Sequence, residues 1–147
     1  MLTVGDRAAR TALILGGTAA WVATVDLLHK ALALTDPGDV VGNERSSFYV
    51  ALGAAAAAVW AGAIVVVRSP TIALAGGVAV GGATGNIVSL LLWPAFPGVP
   101  DPLVAAGFAF NLGDLAVGGG LVLVIATTVV FAAQNRARLR EPVRLRG

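Results

Sequence analysis

The chain has 147 residues, 57% of them hydrophobic and only 12% charged, with a net charge of +2. Soluble domains carry about 25% charged residues, so this composition leaves too little polar surface to cover a soluble globule and makes lipid the natural solvent for the long uncharged stretches. The lack of cysteine excludes a disulfide framework, a thiolate metal site and a cysteine nucleophile, and the single histidine, His29, excludes a multi-histidine metal site.

Four segments are long enough to cross a bilayer, which takes about 20 apolar residues. They are expected at about 11–34, 48–67, 71–93 and 111–133, followed by a basic tail over 134–147. Backbone in lipid must satisfy its own hydrogen bonds, so these segments are helices. The expected fold is an all-α integral membrane protein of one domain spanning residues 1–147. The first segment carries Asp26 within a long apolar run and has no clear small-x-small cleavage pattern, so it is expected to be a retained span and not a leader.

Basic residues give the orientation. With four alternating helices, Arg7, Arg10, Arg68 and the tail arginines fall on one side. Lys30 and Arg45, offset by Asp36, Asp39, Glu44 and Asp101, fall on the other. Both termini are therefore expected in the cytoplasm, with two longer loops outside. Five of the ten basic residues are arginines of the last twelve positions. A juxtamembrane basic tail explains them, so no nucleic-acid partner is expected. Phe48, Tyr49, Trp93, Phe96, Phe108 and Phe110 cluster at the expected outer interface, which suits aromatic rings. Trp21 and Trp60 lie mid-helix and are expected to pack. Gly77, Gly81 and Gly85 form a small-residue stripe on one helix face, expected to receive a neighbouring helix of the same chain.

Ionisable and polar residues inside spans are costly and point to function. Asp26 and Lys30 are four apart, so they share a face of the first helix as a self-neutralising pair, with Lys30 able to reach outward. Asn86 precedes Ser89 by three residues, and Asn111 precedes Asp114 by three. Both pairs lie near outer helix ends and are expected to meet at one depth. The alternative for Asp114 is a carboxylate held only by the dipole of its helix N-terminus.

These residues resemble the motifs of signal peptidase II, the bacterial lipoprotein signal peptidase, a four-helix membrane aspartic protease with cytoplasmic termini. Asp26 to Lys30 resembles the family's D-x-x-x-K. NERSSF, Asn43 to Phe48, resembles N-x-G-A-A-F. GGATGNIVSL, Gly81 to Leu90, resembles G-G-A-x-G-N-x-x-D-R, and FNLGD, Phe110 to Asp114, resembles F-N-x-A-D. The resemblance covers nearly the whole chain. It implies residence in the bacterial cytoplasmic (inner) membrane and no cofactor. The implied partners are membrane lipid and a prolipoprotein signal peptide or another transmembrane helix. It also implies Asp114 as a catalytic aspartate, with Asn86, Asn111, Asp26, Lys30 and Asn43 around it; Arg45, next to Asn43 in the second motif, is a candidate binding residue of this chain's own.

The departures bear on the chemistry. The resemblance aligns a first catalytic aspartate with Ser89, an arginine with Leu90, and a glycine with Arg45. An aspartic protease uses two close carboxyls sharing a proton, one acting as base and one as acid. Serine cannot fill either role, so proteolysis is expected to be lost or weak. Asp101, in GVPDPL, resembles an acidic residue of a V-x-D-F stretch in the family. Neither it nor Arg45 is expected to compensate, since loop residues hold geometry less precisely than helices. Three functions stay open: a groove protein with little or no proteolysis, an active divergent lipoprotein signal peptidase using Asp114, and a transporter or assembly subunit with no enzymatic role.

Overall fold

A computed structural model of the chain describes residues 3–136. The basic tail expected over 134–147 lies outside the described residues from position 137 onward. Four long helices dominate: α1 (Val4–Ala33), α2 (Ser47–Val67), α3 (Pro70–Leu92) and α4 (Leu112–Gln134). Each is long and apolar enough to cross a membrane. Three match the expected spans to within a residue. The first begins seven residues early because Thr3 and Asp6 form a capping box: the Thr3 hydroxyl accepts from the Asp6 N–H while the Asp6 carboxylate accepts from the Thr3 N–H.

The chain is not purely helical. Between α1 and α2 lie a short 3₁₀ turn (Pro37–Asp39) and strand β1 (Val41–Asn43). Between α3 and α4 lie β2 (Val99–Asp101), β3 (Leu103–Ala105) and β4 (Phe108–Phe110). β1 pairs antiparallel with β2, setting Val41 opposite Asp101 and Asn43 opposite Val99. β3 pairs with β4 across a tight turn in which Ala106 and Gly107 both have positive φ, as a two-residue hairpin turn requires. The two connections between helices are thus stitched to each other, fixing the loops at one end of the bundle.

α3 is the central helix. Eleven of its residues are buried, against Ile64 alone in α2. Its glycines explain this. A Cβ on Gly77 would lie 2.7 Å from Thr18 Cβ, and one on Gly81 would lie 2.6 Å from the Ala19 carbonyl oxygen. The expected stripe therefore receives α1. On another face a Cβ on Gly82 would lie 2.9 Å from Ala116 Cβ, so α4 approaches equally closely. Lipid gives apolar helices no reason to bury apolar area against each other, so such close backbone approach is what holds α1, α3 and α4 together. α2 is tied differently. Arg68, in the left-handed conformation at φ 57°, ends it, and Ser69 caps α3 at once. Ile64 enters the small core with Leu15, Ile72, Ala73, Ala75 and Val124. Toward its other end α2 stands away from the bundle. Trp21 is 71% exposed, so it faces lipid and does not pack as expected.

Candidate functional site

A polar cluster sits where α1, α3, α4 and the paired strands converge. Asp26 and Lys30 are both buried, with their charged atoms 2.6 Å apart. Lys30 does not reach outward: its side chain is fully buried. Its ammonium group also donates to Asn86 Oδ1 of α3 at 2.7 Å. A buried charge is tolerable only when paired and hydrogen-bonded, and two acceptors from two helices meet that need. The other Asp26 oxygen, Oδ1, accepts from the Gly113 N–H at 2.7 Å. That N–H belongs to the first turn of α4, which has no helical partner for it and favours a negative charge there. Gly85 allows the approach, since a Cβ there would lie 2.5 Å from Asp26 Oδ2.

Asn86 passes the contact on. With its oxygen fixed by Lys30, its amide nitrogen donates to Asp114 Oδ1 at 2.9 Å. The expected meeting of Asn86 and Asp114 at one depth is thus realised. Asn111 caps α4: its Oδ1 accepts from the Asp114 N–H at 3.0 Å, and its own N–H donates to Asp114 Oδ2 at 3.3 Å. This capping box is the local reason Asp114 stands where it does.

Two positions depart from expectation. Ser89 is fully buried, and its hydroxyl donates to the Asn86 carbonyl oxygen at 2.8 Å, a local bond within α3. It does not join Asp114. Asp101 does join the cluster. It is 1% exposed. Its Oδ1 accepts from Asn111 Nδ2, and its Oδ2 accepts from Asn43 Nδ2 at 3.2 Å. Asp101 is therefore no loosely held loop residue: it ends β2, paired in register with β1, and two asparagines grip its carboxyl. Burial pushes its pKa above the usual aspartate value, and the nearby Asp114 charge adds to the rise, while the Asn111 and Asn43 hydrogen bonds and the Arg45 charge oppose it. Arg45 approaches Asp114 Oδ1 from the β1–α2 connection at 3.8 Å.

The cluster opens on one side into a groove of about 750 Å³ between α2, α3 and α4. Arg45, Asp114 and Asn86 line its polar end. Gly53, Ala56, Ala57 and Trp60 of α2, Ala79, Ala83 and Leu90 of α3, and Val117 and Leu121 of α4 line the rest. Small side chains on α2 and α3 make the space, and Trp60 lines it from α2, a wall residue more than a core one. From Ser46 to Trp60 the α2 wall runs about 21 Å at 1.5 Å per residue. Polar groups concentrated at one end of an apolar cleft suit an apolar segment with a reacting or recognised group at its head.

The chain matches no protein-family model, curated protein or solved structure.

Proposed function

We propose that this chain is a signal-peptidase-II-like membrane protein, an aspartic endopeptidase whose carboxyl pair is Asp101 and Asp114. The observation that carries the reading is Asn111, which joins the two. Its amide nitrogen donates to Asp101, its amide oxygen accepts from the Asp114 N–H, and its own N–H donates to Asp114. Two carboxyls gathered around one asparagine at the head of an apolar groove suit peptide-bond hydrolysis by paired acids.

Charge supports the same division of labour. The cluster holds three aspartates, Asp26, Asp101 and Asp114, against two cations, Lys30 and Arg45. Acids outnumber cations, and the raised pKa of Asp101 makes Asp101 the natural carrier of a proton. In this reading the Asp114 carboxylate, which lines the groove, takes a proton from water. The resulting hydroxide adds to the scissile carbonyl carbon, and the Asp101 carboxyl supplies the proton that neutralises the developing oxyanion. Asp114 then passes its proton to the amide nitrogen, the C–N bond breaks, and a hydroxyl proton of the adduct returns to Asp101, leaving an acid, an amine and the pair in its starting state. Such acid–base assistance is commonly worth about 10²–10⁴-fold in rate. The substrate class is a membrane-inserted peptide, the signal segment of a prolipoprotein, lying in the groove among surrounding lipid. Both termini are then cytoplasmic, the strands and groove head face outward, and the protein resides in the bacterial cytoplasmic membrane. Ser89 loses its significance as the missing acid and becomes a packing residue of α3.

One observation favours a second reading. Asp101 does not itself line the groove, and both its oxygens are already held by asparagines. A groove that binds its apolar occupant without cutting it, with Asp101 only tying β2 to α4, fits that feature. Incubating purified protein with a lipid-modified prolipoprotein in detergent micelles separates the two. The first reading expects cleavage that Asp101→Asn and Asp114→Asn each abolish. The second expects binding by the intact protein and no product.

A further inference from the structure

Arg45 stands out among the groove residues. Apart from it, the charged lining residues are Glu44 and Asp114, both acidic, so Arg45 is the groove's one cation among the described residues. It comes from the α2 side, whereas Asn86 and Asp114 come from α3 and α4. Its approach to Asp114 Oδ1, at 3.8 Å, is an ion pair without a hydrogen bond, and the same oxygen already accepts from Asn86. The buried cation of the cluster is spent, because Lys30 is held by Asp26 and Asn86. On the opposite wall position 90 is a leucine, which also lines the groove. Among the described residues no other cation is placed to balance the two carboxyls that meet at Asn111.

We propose that Arg45 is the positioning cation of the Asp101–Asp114 pair, supplied from the β1–α2 connection and reaching across the groove mouth. This rests on the endopeptidase reading of the same site. A guanidinium is permanently charged and more weakly hydrated than an ammonium, so it keeps its charge while partly desolvated beside carboxylates. Asn43 fixes its starting point: its backbone pairs with β2, and its side chain holds Asp101 only two positions from Arg45. Ser46 fixes the other side by capping α2, its hydroxyl accepting from the Tyr49 N–H. Arg45 is thus anchored on both flanks while its head stays free to face the pair.

The charged groups of the elements packed around the pair are Asp26 and Lys30 of α1, which bond to each other, and Glu44 and Arg45 of the β1–α2 connection, which line the groove. α3 contributes Asn86 and no charge. Removing the Arg45 charge therefore makes the surroundings more negative and takes away an influence that holds the Asp101 pKa down. The limb of the pH–activity profile set by the Asp101 proton moves up.

The test is the pH–rate profile for cleavage of a synthetic lipid-modified prolipoprotein peptide in micelles, with unfolding temperature measured alongside. Arg45→Gly should lower kcat about tenfold at neutral pH and move the limb set by Asp101 up by about one unit, the low end of what a charge at this distance does. Because Arg45 is partly exposed, its unfolding temperature should stay close to that of the parent. Arg45→Lys should keep the parent profile. Arg45→Gly with Leu90→Arg should recover most of both losses, since the second change returns a cation to the same groove. An unmoved profile in Arg45→Gly overturns the proposal while leaving the endopeptidase reading intact. So does a loss that persists both in Arg45→Lys and with the relocated arginine. A parent protein that cuts no prolipoprotein overturns both.

Discussion

Replacing Lys30 with methionine tests the architecture of the polar cluster. Methionine keeps most of the side-chain volume and removes only the charge and its hydrogen bonds. In the structure that charge is fully buried, 2.6 Å from an Asp26 oxygen and 2.7 Å from Asn86 Oδ1. Its loss leaves Asp26 charged and buried with a single donor, the Gly113 N–H. Breaking a buried ion pair from one side costs about 3–5 kcal/mol. Replacing both partners removes the stranded charge, so Asp26→Asn with Lys30→Met should cost less than Lys30→Met alone. The favourable coupling expected of residues in direct contact lies within about 0.5–3 kcal/mol. Thermal unfolding of the three variants in one detergent, followed by circular dichroism, completes the cycle. Lys30→Met costing under about 1 kcal/mol, or a double variant as damaged as the sum of the singles, would show that the pair is not buried as described.

Two further outcomes follow from the same geometry. Gly85→Ala puts a methyl 2.5 Å from Asp26 Oδ2, so it should destabilise the protein by about 1–3 kcal/mol, the usual cost of overpacking. Gly118→Ala, at a position open within 4 Å, should have little effect in the same melt. Asp101 sets a pH dependence. Its folded pKa lies above the unfolded value, so its contribution to stability is full below the ordinary aspartate pKa and is lost as pH rises through the raised folded value. Unfolding temperature measured from about pH 4 upward should therefore decline less steeply in Asp101→Asn than in the parent. Equal slopes would remove Asp101 from the account.

Much of this was legible in the sequence, for identifiable reasons. Hydrophobic length located four helices, because a bilayer sets the length of whatever crosses it. The Gly77–Gly81–Gly85 repeat marked the face that receives α1, because only missing side chains let backbones come so close. Spacing of three placed Asn111 and Asp114 together, and capping is a local interaction that spacing captures. What the sequence does not show is the pairing of the two loop connections. Asp101 read as a loop residue between two prolines, since a three-residue strand has no periodicity to show and its partner β1 lies about 58 positions away. One signal was available: Gly42 and Gly98 flank the crossing. A Cβ on Gly42 would lie 2.8 Å from Pro97 Cγ, and Gly98 has φ +90°. Glycines in both connections hinted that the two backbones touch. Ser89 misled for the opposite reason. It has the spacing of a site residue, but its hydroxyl turns back to the helix carbonyl three residues earlier. The surroundings of Trp21 and Lys30 are not legible in the sequence, because helical periodicity is nearly silent in spans apolar on all sides. Lipid and protein faces there differ in side-chain size, not polarity.

The most direct measurement is cleavage of a lipid-modified prolipoprotein by the purified protein, its Asp101→Asn form and its Asp114→Asn form, each shown to be folded. The account predicts product from the parent, and rates reduced at least about 10²-fold in each variant. Product from the parent that persists in Asp101→Asn would contradict the Asp101–Asp114 pair. Absence of product from the folded parent would contradict the endopeptidase itself.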